Sequence, residues 1–224
     1  MMQRTTKSPR TRRDDRMKND AKKGLLLVIS GPSGSGKGTL IKRLLELDDS
    51  FVYSVSATTR APRVGERHGV NYYFIDREDF EARISDGMML EHAEYCGNYY
   101  GTPKKEVNEN LAAGHNVLLE IEVAGAMQIK EKCPDAVLIM IAPPDFRTLE
   151  ARLRGRGDNV GEDVILKRLE TAKLELQKLG EYDYIVVNGE NMIDEAVHRI
   201  IDIVRTEQSR VSRADEFTKK FFAE

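Results

Sequence analysis

The residues with the clearest chemical role form a glycine-rich segment near the N-terminus. Residues 31–39 read Gly-Pro-Ser-Gly-Ser-Gly-Lys-Gly-Thr, directly after an aliphatic run and directly before a helical pattern. In that context the glycines let backbone N–H groups turn inward, the helix N-terminus adds partial positive charge, and the lysine reaches the outer phosphates of a nucleotide. The segment predicts a phosphate-binding loop made of Gly31, Pro32, Ser33, Gly34, Ser35, Gly36, Lys37, Gly38 and Thr39.

One position departs from the strict phosphate-loop pattern. That pattern places Ser or Thr directly after the lysine, where the hydroxyl is a ligand of Mg²⁺. Here Gly38 follows Lys37, and the hydroxyl comes one residue later at Thr39. Two roles for Thr39 therefore stay open: a ligand of Mg²⁺, directly or through water, or a contact to the α-phosphate.

The loop by itself does not separate a kinase from an ATPase or a GTPase. A GTPase should also carry an Asn-Lys-x-Asp-type motif that reads its base, and the sequence has none. An ATPase motor should carry a strand that ends in Asp-Glu and a larger body. The choice between these classes depends on the rest of the chain.

A second group of residues could bind the phosphate of another molecule. Arg60 and Arg63 lie three residues apart, and two such arginines can both make charge-assisted bonds to one phosphate. Tyr72 adds a hydroxyl donor. Further along the chain come an acid, two aromatic hydroxyls and a threonine, at Glu91, Tyr99, Tyr100 and Thr102.

Two more acids, Glu120 and Glu122, end an apolar run at residues 116–122. If that run is a strand, residues two apart share one face of it. Paired carboxylates on an otherwise apolar strand are hard to explain as packing, because burying a charge without a partner is unfavourable. We therefore predict that they belong to a polar site.

A series of motifs along the chain resembles the guanylate kinase family. They are Gly-Pro-Ser-Gly-x-Gly-Lys, Ser-x-Thr-Thr-Arg-x-Pro-Arg-x-Gly-Glu, Gly-Asn-Tyr-Tyr-Gly-Thr and Glu-Ile-Glu-Val, in this order, and the likeness covers about residues 24–207. The resemblance implies transfer of the γ-phosphoryl group of ATP to GMP with Mg²⁺ as cofactor, giving ADP and GDP. It leaves dGMP open as a second acceptor, since no residue clearly reads the 2′-hydroxyl.

The resemblance also implies which residues bind GMP. Arg60 and Arg63 would bind its phosphate together with Tyr72 and Tyr100. Glu122, with Glu120 as a further candidate, would lie near GMP and the metal-bound waters. Guanine itself would be read by Glu91, Ser56 and Thr102.

The expected guanine contacts are chemically complementary. Glu91 would accept hydrogen bonds from the adjacent N1–H and 2-amino groups, and the hydroxyls of Ser56 and Thr102 would donate to O6. Adenine lacks those adjacent donors and would leave the carboxylate unpaired, which a buried site penalises strongly. This argues against AMP as the acceptor.

The resemblance assigns charge stabilisation during transfer to Lys37, Arg60, Arg152, Arg156 and Arg168, and it does not include Arg154. Residues 154–161 read Arg-Gly-Arg-Gly-Asp-Asn-Val-Gly and predict a mobile lid, with one extra residue relative to the family within residues 158–163. Phosphoryl transfer needs in-line positioning and charge neutralisation, so we expect neither an enzyme nucleophile nor a general base.

These side chains must be positioned by an α/β fold. Apolar strands at residues 25–30, 116–122, 136–141 and 184–188 alternate with helices at Lys37–Leu47 and near residues 124–132, 146–153 and 192–204. A further helix follows the lid. The alternation predicts a P-loop kinase fold, a parallel sheet flanked by helices. We assign the core to residues 23–54, 106–153 and 162–224, and a small mixed β lobe that binds GMP to residues 55–105.

The remaining features limit partners and location. The chain has 224 residues, a formal net charge of -2 and 2 cysteines, so we expect no nucleic acid partner and a reducing, cytoplasmic location. No apolar run reaches the roughly 18 residues of a membrane helix.

Residues 1–22 predict a flexible basic tail. A basic arm for an acidic partner and a targeting segment are alternatives, although the acidic residues of the tail oppose targeting. Oligomeric state stays open.

A different class of function is also conceivable. Domains that resemble this family but bind protein partners tend to lose the phosphate loop or the lid arginines. Here Lys37, both arginines of the acceptor segment and the three arginines at 152, 156 and 168 are all present. The sequence therefore favours an enzyme over a scaffold.

Overall fold

The computed structural model describes residues 23–155, 160–213 and 221–222. The predicted tail at residues 1–22 and residues 156–159 of the predicted lid, including Arg156, lie outside the described residues. In chain order the elements are β1 (Leu26–Ser30), α1 (Lys37–Leu47), β2 (Phe51–Tyr53), β3 (Ala57–Thr58), β4 (Tyr73–Phe74), α2 (Arg77–Ser85), β5 (Met89–Tyr95), β6 (Asn98–Pro103), α3 (Lys104–Ala112), β7 (Asn116–Glu120), α4 (Val123–Lys132), β8 (Val137–Ala142), α5 (Phe146–Arg154), α6 (Glu162–Leu176), β9 (Tyr184–Val187) and α7 (Ile193–Gln208).

The central sheet is parallel and has the strand order β2-β7-β1-β8-β9. Its middle strands are continuous apolar runs because helices cover both faces. On one face, side chains such as Leu27 and Ile29 pack with α1 and α7. On the other, Val28 and Leu119 pack with α3 and α4. Because β1 and β7 are neighbouring parallel strands, their carboxyl ends lie side by side. Ligands bind at the carboxyl ends of strands in such sheets.

A second, smaller sheet has the order β4-β3-β6-β5. Strands β3 and β4 run parallel, whereas β3–β6 and β5–β6 are antiparallel, so this sheet is mixed. Its core contains Ala57, Met89 and Phe80, the buried residue of α2. The predicted fold class, a parallel sheet flanked by helices with a small mixed sheet, is confirmed.

Several details differ from the sequence predictions. Strand β7 ends at Glu120, because the chain turns there and Glu122 becomes the N-cap residue of α4. Strand β2 and helices α2 and α3 were not predicted. The predicted lobe boundary at residue 105 falls inside α3. Within the described ranges, no helix has both the length and the hydropathy needed to cross a membrane.

Candidate active site

The glycine-rich loop connects the carboxyl end of β1 to α1. Gly36 is the N-cap residue of α1, with a left-handed φ of 89° and no capping side chain, so N–H groups of the first turn stay available for an anion. The Lys37 ammonium donates to the carbonyl oxygens of Gly31 at 2.5 Å and Pro32 at 3.2 Å. These bonds hold its positive charge over the loop. Of the other loop residues, Ser35 is buried, while Gly38 and Thr39 are exposed.

A cleft of ≈ 290 Å³ separates the small sheet from the central one. It is lined by Ser56, Tyr72, Glu91, Ala93, Tyr95, Tyr100, Gly101, Glu120, Ile121, Glu122 and Gly125. Most residues predicted to bind GMP therefore lie around one cavity, although they come from both sheets.

Glu91 is the buried acid of this cleft. It is only 4% exposed, and Thr102, 1% exposed, donates its hydroxyl hydrogen to Glu91 Oε1 at 2.7 Å. Burial raises the pKa of Glu91; the Thr102 hydrogen bond and the charge of Lys132 oppose this shift. The predicted donation from Thr102 to guanine O6 would require this hydrogen bond to be exchanged.

Arg60 lies behind the aromatic wall of the cleft. Its Nη2 contacts both carboxylate oxygens of Glu66 at 3.0 Å, and its guanidinium lies 5.6 Å from the Tyr72 ring centroid. Tyr100 is also within hydrogen-bonding reach of Arg60. Arg63 is exposed, and its backbone N–H donates to the same Glu66 at 2.8 Å. Neither arginine lines the cavity itself.

Glu120 connects the cleft to the phosphate loop. It lines the ≈ 290 Å³ cavity and also a second cavity next to Gly38 and Tyr53. Burial raises the pKa of Glu120, while the nearby charge of Lys37 and a hydrogen bond from the Tyr53 hydroxyl oppose the shift. Although Glu120 and Glu122 do not belong to one strand, they line the same cavity.

The arginines expected to stabilise charge lie on α5 and α6. Arg152 donates from Nη2 to the carbonyl oxygens of Asn188 at 3.0 Å and Gly189 at 3.2 Å, just after β9. The pKa of Tyr95, which lines the cleft, is raised first by its hydrogen bond with Cys96. The charge of Arg168 opposes this rise, so Arg168 lies near the cleft. Arg156 lies outside the described residues.

Arg154, which we did not assign to catalysis, bridges two helices. It pairs with Glu150 at 2.8 Å and with Glu162 at 2.6 Å, at the start of α6. These bonds join the ends of α5 and α6 on either side of residues 156–159. The side chain of Arg154 is therefore engaged between the two helices and does not line the cleft.

Comparison with known proteins gives the family. The guanylate kinase profile matches residues 23–207. The chain belongs to the guanylate kinase family. A guanylate kinase of Latilactobacillus sakei is 50% identical to this chain over 203 residues, which cover 90% of this chain and 98% of the relative. One from Lactococcus lactis is 51% identical over 194 residues, covering 87% and 93%. The crystal structure of a guanylate kinase from Anaplasma phagocytophilum has a TM-score of 0.69 and 38% identity, and covers 86% of this chain and 90% of that one.

The structure adds residues to the site that the sequence did not single out. Glu66 orients Arg60, Tyr53 contacts Glu120, and Tyr95 lines the cleft. Gly125 lies so close to Glu91 that a Cβ there would be 2.8 Å from Oε2. Only Glu66 had a local signal, since it ends the same segment as Arg60. The others are brought in by tertiary packing.

Gly36→Ala should disrupt the phosphate loop of this guanylate kinase family member. A Cβ at residue 36 would lie 2.4 Å from Asn188 Nδ2, which donates to Ser35 O at 2.9 Å, and the residue would keep a left-handed φ. We expect a loss of about 1–3 kcal/mol in the free energy of unfolding and at least a tenfold rise in KM for ATP. Thermal unfolding and steady-state kinetics measure both.

Gly65→Ala is the matched control for this substitution. Gly65 has nearly the same φ, +88°, but nothing lies within 4 Å of its added Cβ. Gly65→Ala should therefore show the backbone strain of a left-handed φ without the collision that Gly36→Ala makes with Asn188. An equal KM for ATP in the two variants would refute the importance of the Gly36 contact.

Proposed function

We propose that this guanylate kinase family member transfers the γ-phosphoryl group of ATP to GMP, and also to dGMP, giving ADP and GDP or dGDP. The observation that carries the proposal is the position of Glu91. It is a buried carboxylate that lines a cleft, and the same cleft is lined by Glu120, where the nearby charge of Lys37 in the phosphate loop opposes the rise in pKa that burial causes. A base-reading acid and a nucleotide phosphate loop thus share one site.

The acceptor base would bind against Glu91. Guanine presents N1–H and its 2-amino group side by side, and a carboxylate with two acceptor oxygens matches that edge. Ser56 lines the same cavity and supports a contact to O6. Burial disfavours the charged form of Glu91. Two N–H donors of guanine would stabilise that charge, so their hydrogen bonds to the carboxylate should be strong.

The acceptor phosphate would bind near Arg60, Tyr72 and Tyr100. The ion pair with Glu66 and the neighbouring rings fix the plane of the Arg60 guanidinium before substrate arrives. Arg63 is exposed on the same segment and supplies a second cation. Glu122 lines the cleft and supports a role near GMP.

The transfer would proceed in line. An oxygen of the GMP phosphate forms the new bond to the γ-phosphorus as the bond from that phosphorus to the β,γ-bridging oxygen breaks, which leaves ADP. Lys37, at the N-terminus of α1, would neutralise charge on the β- and γ-phosphates. Arg60, Arg152, Arg156 and Arg168 would neutralise charge around the moving group, and closure of residues 154–161 would exclude water.

The residues present fit Mg²⁺ held mostly by the nucleotide. In the described parts of the chain, no cluster of three or more His, Cys, Asp or Glu side chains could hold a metal alone. Thr39 and Glu120 offer oxygen atoms beside the loop, and Mg²⁺ commonly takes one or two protein oxygens together with waters and phosphates. When bound, Mg²⁺ would supply further positive charge to the phosphates of ATP.

The other expectations extend this proposal. ATP and GMP are the proposed small-molecule partners, and neither nucleic acid nor a membrane is proposed as one. Free Cys96 and Cys133 support a reducing compartment, for which we propose the cytoplasm.

The proposed function is tested by the identity of the products. Full-length protein is incubated with ATP and Mg²⁺, with and without GMP, and the nucleotides are separated by chromatography. We expect equal amounts of ADP and GDP with GMP present, and little ADP without it. ADP release that does not depend on GMP would indicate an ATPase, and no turnover with GMP, AMP, CMP or UMP would favour a binding domain.

Arg60→Lys should weaken GMP binding although it keeps the charge. Lysine has a single nitrogen, so it cannot bond Glu66 and also the Ala61 carbonyl oxygen, to which Arg60 Nη1 donates at 2.7 Å, and it lacks the planar guanidinium beside the Tyr72 ring. We expect KM for GMP to rise about 30-fold, with KM for ATP changed less than threefold. Arg77→Lys is a suitable control, because Arg77 also lies over a ring, at 4.3 Å from the Tyr99 centroid, but it is exposed on α2 and does not line the cleft. Equal effects of both variants would contradict the role of Arg60.

A further inference from the structure

Helix α4 holds the strand that carries Glu91 through bonds that the proposed reaction does not use. Gln128 bonds both backbone groups of His92: its Oε1 accepts from the N–H at 3.2 Å and its Nε2 donates to the carbonyl oxygen at 2.8 Å. The ammonium of Lys132 donates to the carbonyl oxygen of Leu90 at 2.9 Å. The residues on both sides of Glu91 are therefore bonded to one helix.

These contacts replace the strand pairing that is missing at this point. Strand β5 is the outer strand of the small sheet, so α4 rather than another strand bonds its free side. On its inner side, the pairing with β6 shifts register between Met89 and His92. Leu90 and Glu91 therefore have no directly paired residue on β6, and side chains of α4 add a constraint at this point.

The contacting residues share one face of α4. Gly125, Gln128 and Lys132 are spaced by three and four residues, which places them in a row along a helix. At the first of these positions the helix approaches the carboxylate itself, since a Cβ on Gly125 would lie 2.8 Å from Glu91 Oε2. The helix begins directly after Glu122, which lines the same cleft.

We propose that Gln128 and Lys132 are positioning residues for guanine recognition, which hold the β5 backbone so that the Glu91 carboxylate faces N1–H and the 2-amino group together. The inference rests on the proposed function and assigns the selectivity for guanine to these contacts of α4 with β5. Two parallel hydrogen bonds demand a fixed carboxylate plane, so a small rotation of the strand would keep one bond and lose the other. The 2-amino contact is the one that distinguishes GMP from inosine monophosphate, IMP.

The chain supplies a matched control on the same helix. Lys130 also donates to a backbone carbonyl, that of Glu181 at 2.7 Å, and to the Glu181 carboxylate at 3.0 Å, so its partner lies in the segment before β9 and not on β5. Lys130→Met and Lys132→Met therefore remove the same groups from α4. Only the second should disturb Glu91.

The experiment measures kcat and KM for GMP and for IMP, with saturating ATP, in the full-length protein. We expect Lys132→Met and Gln128→Met each to raise KM for GMP about tenfold and to lower the ratio of kcat/KM for GMP to that for IMP by a similar factor, with kcat changed less than threefold. Lys130→Met should match the wild type. Lys132→Arg, which keeps a cationic donor, should recover most of the selectivity.

The outcomes separate this inference from the proposed function. If the wild type phosphorylates GMP but folded Lys132→Met and Gln128→Met proteins keep its GMP to IMP ratio, the positioning role is wrong. If the wild type does not phosphorylate GMP, the proposed function is wrong. A general loss of stability would lower kcat for both acceptors and leave the ratio unchanged, so it would also count against the inference.

Discussion

Lys37→Met is expected to lower kcat about 10³-fold while leaving the affinity for GMP within threefold of the wild type. The ammonium of Lys37 lies over the phosphate loop, where it bonds the carbonyl oxygens of Gly31 and Pro32, and no other described lysine belongs to that loop. Methionine keeps a similar chain length but removes the charge that would neutralise the transferring phosphoryl group. Steady-state kinetics and calorimetric titration with GMP measure the two quantities.

The control for Lys37→Met removes a lysine far from the loop. Lys105 is exposed on α3, and within the described ranges its ion pair is a long one, to Glu109 at 3.9 Å. Lys105→Met should keep wild-type kinetics, because exposed ion pairs contribute little. If Lys37→Met retains kcat within tenfold of the wild type, the loop is not the site of the transferring phosphate.

Glu91→Gln is expected to reduce kcat/KM for GMP about 10³-fold, because the new amide would direct a donor at the donors of guanine. The shape of the side chain is unchanged, and its oxygen can still accept the hydrogen bond from Thr102. The loss should therefore be confined to the acceptor, with KM for ATP changed less than threefold. Kinetics with GMP, dGMP and AMP measure the effect.

The same substitution is expected to stabilise the free protein at neutral pH. Burial raises the pKa of Glu91, so the folded state holds its proton more tightly than the unfolded state does. This makes the wild type less stable as pH rises above the ordinary glutamate pKa of about 4.3 and through the raised value. Glu91→Gln removes that loss, and a gain of about 1 kcal/mol would raise Tm by about 2–4 °C.

Thermal unfolding between pH 4 and pH 7 tests the sign of this effect. The difference in Tm between Glu91→Gln and the wild type should grow with pH. Glu195→Gln, in the first turn of α7, should instead lower Tm slightly, because a carboxylate there interacts favourably with the helix N-terminus. If Glu91→Gln instead becomes less stable than the wild type as pH rises, then the charged carboxylate stabilises the free protein and the predicted sign is wrong.

Much of the fold could be predicted because its core strands have a strong local signal. Strands β1 and β8 are continuous apolar runs, and α1 was predicted with its observed bounds. Strand β2 has only 3 residues, and its pairing with β7 is a tertiary contact that no local pattern encodes. Helix α2 buries a single residue, Phe80, so it has no apolar stripe to detect.

The site could be predicted by residue type but not by contact. The motifs brought Ser56, Tyr72, Glu91 and Tyr100 together, and all line one cleft. The bond between Thr102 and Glu91 depends on the register of the β5–β6 hairpin, and the ion pair of Arg60 with Glu66 depends on a loop conformation. The contacts of α4 with β5 join the two sheets and depend on how they pack.

The ratio of kcat/KM for GMP to that for AMP is the most direct test of the central claim. It is measured by coupled ADP release with saturating ATP and Mg²⁺, in parallel with dGMP, CMP and UMP. Because Glu91 would pair with guanine and be left unpaired by adenine, we expect a ratio of about 10⁴ or more, with dGMP as the next best acceptor. A ratio near one, or a preference for AMP, would contradict the account.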